Sequence, residues 1–148
     1  MAELHGSESA EIAATVEDVF SYRLDFMNLP AYNPSVTNMR RTDAGTEPGP
    51  GAEYLFDLRL PGTDTPMETP LRVLEADAPK RIVFETGPGF MAREVCTFES
   101  NGIKTRAKFE ITLTFPGDLD DPTKTMMEQS TQEQASVELE LIKKALET

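Results

Sequence analysis

The sequence predicts an α+β fold in which a seven-stranded curved antiparallel sheet wraps around a long C-terminal helix, with two short helices between the first and second strands. Three observations carry that expectation. Strand-like alternation recurs between Gly/Pro clusters at 43–51, 61–66, 87–89 and 115–118. Three of the hairpins so defined give one charged face and one apolar face when their flanks are paired. The last stretch of the chain reads as a helix with no internal breaker.

The strands are expected near 7–13, 36–43, 52–60, 67–76, 81–87, 91–100 and 103–115. His5 falls ahead of the first, in an N-terminal segment expected to fray. A helix opens at "TVEDVFSYRL", where Thr15 can cap, Asp18 completes a capping-box pattern, and Val16, Val19, Phe20 and Leu24 share a face. A second, shorter helix lies around 28–33, and Pro34 forbids its continuation through Asn33.

The hairpins set the register. A two-residue turn at Asn101-Gly102 places Glu99 opposite Lys104, Thr97 opposite Arg106 and Arg93 opposite Glu110. Ala92, Glu94, Cys96 and Phe98 then share the other face with Thr105, Ala107, Phe109 and Ile111. A loop at 77–80 puts Arg72 opposite Glu85 and Val73 against Phe84, and one at 61–66 puts Arg59 opposite Glu68 and Phe56 against Leu71. One face of the sheet is therefore wet and the other dry.

The final helix has Asp121 as its expected N-cap and Pro122 at its first position. Residues 122–147 would span about 39 Å and the strand 103–115 about 43 Å, so the sheet is expected to curl along the helix. Met127, Thr131, Ala135, Leu139, Ile142 and Leu146 form its inward stripe. The bulky end would close the core, while the small middle (Ser130, Thr131, Ala135, Ser136) would leave a cavity against the sheet. The alternative is that this middle is simply solvated.

Composition bounds the function. At 148 residues the chain is expected to form one domain over 1–148. Acidic residues outnumber basic ones 26 to 14, for a formal charge of −12, which argues against nucleic acid and anionic membrane surfaces as partners. No apolar run approaches the roughly 20 residues of a membrane span, and the N-terminus lacks the pattern of a signal peptide. The single cysteine, Cys96, cannot form an internal disulfide, in keeping with a reducing cytoplasm. A monomer or homodimer in the cytoplasm is the expectation.

Metal chemistry is not expected, because His5 and Cys96 are the only residues of their kinds and zinc wants three or four such ligands. Asp118, Asp120 and Asp121 lack the spacing of a calcium loop and suit the start of the last helix instead. The GPG sequences read as turns, since they lack a full GxGxxG and proline removes an N–H. No cofactor is called for.

The inner face supplies the candidate ligand-binding residues. Tyr54, Phe56 and Leu58 come from the third strand, and Met67, Leu71 and Val73 from the fourth. Phe84, Cys96, Phe109 and Ile111 continue the wall, which Met127, Thr131 and Ala135 close from the helix. Glu94 is the one carboxyl in this register and the sharpest candidate for catalysis, with a tyrosine as the other possible proton donor: a carboxyl in apolar surroundings suits a general acid or base. The competing reading is that Glu94 reaches water or pairs with a cation such as Arg23. Glu75 and Glu128 fall at the rim. Tyr22, Tyr32 and Tyr54 can offer hydroxyls to a ligand or merely satisfy them locally. Cys96 reads as a small hydrophobe, with no histidine nearby to activate it.

The stretch "AATVEDVFSYRLDFMNLPAYNPSV" (13–36) carries Asp18 before Val19-Phe20, Asp25 at the end of the first helix, and then Asn28, Pro30, Tyr32 and Pro34. With the element order, it resembles the helix-grip fold of the START-like superfamily, also called SRPBCC, and most closely its polyketide cyclase/dehydrase-like branch. The resemblance spans nearly the whole chain. Tyr32 stands where that family commonly has Trp, and Gly102-Ile103-Lys104-Thr105 replaces the Gly-Thr that often follows the late hairpin. The resemblance implies a cavity between sheet and C-terminal helix that holds a hydrophobic or aromatic small molecule. It leaves open a cyclase/dehydratase-like enzyme and a partner- or quinone-binding module, because the fold hosts all of these.

Overall fold

The computed structural model describes residues 2–59 and 64–147. The chain runs β1 (Ala2–Ile12), α1 (Val16–Leu24), a 3₁₀ turn (Phe26–Asn28), α2 (Leu29–Tyr32), β2 (Val36–Arg41), β3 (Glu53–Leu58), β4 (Met67–Asp77), β5 (Arg81–Thr86), β6 (Ala92–Asn101), β7 (Lys104–Phe115) and α3 (Asp121–Leu146). The sheet has seven strands in the order β1-β7-β6-β5-β4-β3-β2, every neighbour antiparallel. The expected fold class is thus observed, with the α1–α2 segment carrying the chain from one edge strand to the other. Residues 60–63, which include the first half of the 61–66 loop, lie outside the described residues.

Several boundaries move. β1 starts at Ala2 and pairs with β7 along its whole length, so His5 is not frayed but sits opposite Thr112. The N-cap of α3 is Asp120, whose carboxylate accepts from Thr123 N at 2.7 Å, one residue earlier than expected. At α1 the expected cap holds, with Thr15 Oγ1 accepting from Asp18 N at 3.2 Å. Asp25 then ends α1, and its carboxylate accepts from Met27 N, which starts the next turn.

Two hairpin registers are corrected by one pair each. Asn101 pairs with Lys104, so the turn is Gly102-Ile103, and Glu99 faces Arg106, Thr97 faces Lys108 and Arg93 faces Thr112. Gly102 has φ +67°, and a loop that needs positive φ at its first position takes glycine there. In the other hairpin Phe56 faces Thr69, Tyr54 faces Leu71, and Asp57 faces Glu68. Arg40 offsets that acidic pair by bonding Glu68 at 2.6 Å and lying 3.7 Å from Asp57. Each slip moves the partner by an even number of residues, so every side chain keeps its face. The third hairpin pairs Arg72 with Glu85 and Val73 with Phe84 as expected. On the wet face Glu53, Arg72, Glu85 and Arg93 then lie side by side across four strands with alternating sign.

On the dry face, α3 packs chiefly along β1 rather than over the middle of the sheet. Its carboxylates reach amides on β1: Glu128 accepts from His5 N at 3.1 Å, and Glu147 accepts from Ala13 N, just past the strand, at 2.7 Å. An edge strand otherwise offers such groups to other chains. Over β3–β5 the cover comes from Phe26 instead, whose ring lies 5.9 Å from Tyr54 and 4.7 Å from Phe84. Phe20 packs edge-on against Phe98. No helix among the described residues is long and apolar enough to cross a membrane.

Candidate functional site

The inward face of α1 carries Val19, Phe20 and, one turn on, Arg23. That spacing aims a guanidinium into the concavity, where Arg23 is 1% exposed. Phe109, Phe84, Tyr32 and Phe26 surround it, their ring centroids 4.5, 5.1, 5.4 and 5.5 Å from the guanidinium carbon. A buried cation among rings still needs anions. Arg23 Nη2 donates to Glu94 Oε2, Nη1 donates to the Tyr32 hydroxyl at 3.0 Å, and Nη1 lies 3.4 Å from Glu138 Oε1.

The elements around it fix each partner. Glu94 stands on β6 between Phe84 and Ile111. Tyr32 and Asn33 come from the end of α2, and Asn33 Nδ2 donates to Glu138 Oε2 at 2.8 Å. Cys96 Sγ donates to Glu94 Oε2 at 3.3 Å. Glu138 comes from α3, one turn before Ile142 on the inward stripe. Arg23 Nε is buried with no partner among the described residues. Two carboxyls therefore share one guanidinium, and one of its donors remains unmet.

Electrostatics follow from this arrangement. Burial opposes the charge of Arg23, but Tyr32, Glu94, Cys96 and Glu138 together outweigh it and hold the guanidinium protonated. Burial pushes the Glu138 carboxyl up to about 7; Glu94 adds to the rise, while Arg23, Asn33 and Gln134 oppose it. Burial also raises the Tyr32 hydroxyl and the Cys96 thiol well above their usual values, so neither ionises near neutrality. The cluster can accept and give up a proton at Glu138, and it can offer donors and acceptors to a polar group.

Of the sequence-derived candidates, Tyr32, Phe84, Glu94, Cys96 and Phe109 meet at this cluster. Tyr54, Phe56, Leu71, Val73 and Ala135 are buried in the same core. Leu58, Ile111, Met127 and Thr131 are half-buried. Met67 is a correction: as the first residue of β4 it lies at the sheet's end and is 37% exposed. Glu75 is exposed and lies 3.6 Å from Arg81, and the Tyr22 ring packs on Tyr32.

At the small middle of α3, where a cavity is expected, the Thr131 methyl packs on Gly6 of β1, so helix and strand approach closely at that point. Arg23 and its rings occupy the concave centre. Two grooves, of about 250 and 340 Å³, lie elsewhere, one lined by residues including Thr42, Leu55, Pro70 and Phe90, the other by Glu8, Gln129, Gln132, Glu133 and Ser136.

Sequence reasoning missed Glu138 and named Arg23 only as an alternative partner for Glu94. The signal for Glu138 was its place in the stripe: it follows Ala135 by three and precedes Ile142 by four, a helical spacing that puts all three on one face.

Residues 3–147 match the family described as polyketide cyclase/dehydrase and lipid transport. No curated protein matches the sequence. Among solved structures, the di-domain ARO/CYC StfQ of the steffimycin biosynthetic pathway superposes with a TM-score of 0.80 at 13% identity. The match covers 98% of this chain and 51% of StfQ, so the chain spans about half that protein's length. A protein from Thermus thermophilus gives 0.73 at 18% identity, covering 96% of each chain. A START superfamily protein from Mycobacterium smegmatis gives 0.72 at 17%, covering 96% of this chain and 98% of the other. These likenesses are of fold.

Proposed function

The chain belongs to the polyketide cyclase/dehydrase and lipid transport family, within the START-like superfamily, and from that premise we propose that it binds a hydrophobic or aromatic small molecule inside the grip formed by the sheet and α3. We read residues 1–148 as a single such domain, with no cofactor and no nucleic acid involved. The observation that carries the reading is the polar cluster sunk among aromatic rings, with Arg23 Nε buried and unmet. Such a site divides its labour, apolar walls supplying affinity and a few polar groups fixing orientation.

Tyr54, Phe56, Leu71, Val73, Phe84 and Phe109 would form the walls, and Tyr32, Glu94 and Cys96 would belong to the polar end. Entry would lie at the end of the sheet where Leu58, Ala92, Ile111 and Leu113 are half-buried, beside Met127 and Thr131 of α3, with Ala135 deeper. Glu94 lies next along the concave face from Ala92 and keeps 8% exposure toward that end. Titration with the neutral dye Nile red tests this: one saturable site with blue-shifted emission is expected, weakened by Ile111→Arg at the rim. Absence of saturable uptake, together with no small molecule released on denaturing the purified protein, would overturn the reading.

A second reading, an enzyme of the cyclase/dehydratase kind, draws on Glu138. A carboxyl that titrates near 7 beside a guanidinium is matched to proton transfer at neutral pH. In that case Glu138 would move the proton while Arg23 and Tyr32 polarised a carbonyl, and Glu94 would hold Arg23 in place. StfQ, a di-domain ARO/CYC, makes a fair choice of protein for comparison.

A further inference from the structure

The buried cluster carries one guanidinium and two carboxyls, and the imbalance bears on which ligand it takes. Glu94 engages Arg23 Nη2, while Nη1 is shared between the Tyr32 hydroxyl and Glu138 Oε1. Glu138 is the surplus acid, pinned by Asn33 from α2. The groups that face it are Arg23 from α1, Tyr32 and Asn33 from α2, Glu94 and Cys96 from β6, and Gln134 from its own helix. An anion entering here would meet two carboxyls and find the guanidinium's Nη atoms already engaged.

The unmet donor narrows the choice further. Arg23 Nε needs an acceptor, and a carboxyl oxygen needs a donor. A hydroxyl supplies both: its oxygen accepts from Arg23 Nε and its proton goes to a carboxylate oxygen, with no new charge buried. A carboxylate can accept but cannot donate, and it adds an anion where desolvation already penalises one.

We propose that Glu138 is a specificity-determining residue that makes the site prefer neutral apolar molecules, those bearing a hydroxyl above all, and reject those ending in a carboxylate. This rests on the ligand-binding reading above. The formal charge of −12 works in the same direction by repelling anions during approach.

Calorimetry with 2-naphthol and 2-naphthoate, which share a ring system and differ in the polar end, tests it. At about pH 8, where Glu138 has lost its proton, the parent protein is expected to bind the naphthol at least about tenfold more tightly than the naphthoate. In Glu138→Gln that ratio should fall by about tenfold. Lowering the pH of the parent protein to about 5.5 should shrink the ratio in the same direction, a measurement that stands even if the variant does not fold. Equal binding of the two probes by the parent, or a ratio indifferent to both the variant and pH, overturns the proposal and leaves ligand binding in place. Binding of neither probe overturns the proposal and counts against the ligand-binding reading as well.

Discussion

Thr131 of α3 rests its methyl group on Gly6 of β1, where an added Cβ would lie 3.1 Å from Thr131 Cγ2 and 3.4 Å from the Gln132 amide nitrogen. Helix and edge strand therefore meet with almost nothing between them. A branched residue at position 6 must push them apart, and overpacking of this kind costs about 1–3 kcal/mol. Gly6→Leu should lower the urea midpoint accordingly, although leucine is the better strand residue. An unchanged midpoint would mean that α3 does not lie against β1 here.

Arg23 is the group whose loss should do most damage. Removing the guanidinium leaves Glu94 and Glu138 facing each other in a buried site, and breaking such a pair costs about 3–5 kcal/mol. Arg23→Leu should approach that loss in chemical denaturation. Arg81→Leu should cost little, since Arg81 is half exposed and only 3.6 Å from an exposed Glu75. Similar effects of the two variants would refute the central role given to the cluster.

The sheet and the buried cluster differ in how far the sequence announces them. The dry faces of β3 to β7 were legible because side-chain alternation depends only on local pattern, and an even register slip leaves it intact. The slip of the last hairpin came from turn geometry: Gly102 takes the left-handed position, which moves the loop by one residue. Glu94 was legible as a lone carboxyl on a dry face. Arg23 and Glu138 were not, because a charge within an apolar stripe reads as solvated until its partners are known. Those partners stand on β6, α2 and α3, brought together only by tertiary packing. Thr131, in the small middle of α3, was ambiguous for a related reason, since its neighbour Gly6 comes from a distant strand.

The bulky end of α3 gives a sharper test of its facing. Ile142 is 1% exposed, whereas Glu140 points to solvent. Ile142→Ala should cost about 2–5 kcal/mol, much of it from the cavity left behind. Glu140→Ala should stay within about 0.5 kcal/mol of the parent. A thermal melt of both variants decides the matter, and comparable losses would mean that the helix is rotated from the position described.

Glu138 should also leave a signature in the pH dependence of stability. Its carboxyl is raised from 4.5 to about 7 in the folded protein, chiefly by burial. A carboxyl with a higher pKa folded than unfolded binds its proton more tightly in the native state. Its contribution is therefore fully present below the unfolded value and is lost as pH rises through the folded one. Between about pH 5 and 8 the parent should lose on the order of 1–3 kcal/mol relative to Glu138→Gln, which has no proton to give up there. The difference between parent and variant isolates this group from the carboxylates held low elsewhere, such as Asp43 beside Arg41, which titrate at more acidic pH. Urea titrations of both proteins at several pH values measure that difference directly. A difference that stays flat, or that grows in the parent's favour with rising pH, would show that Glu138 is ionised throughout and that Arg23 shelters it more strongly than burial opposes it.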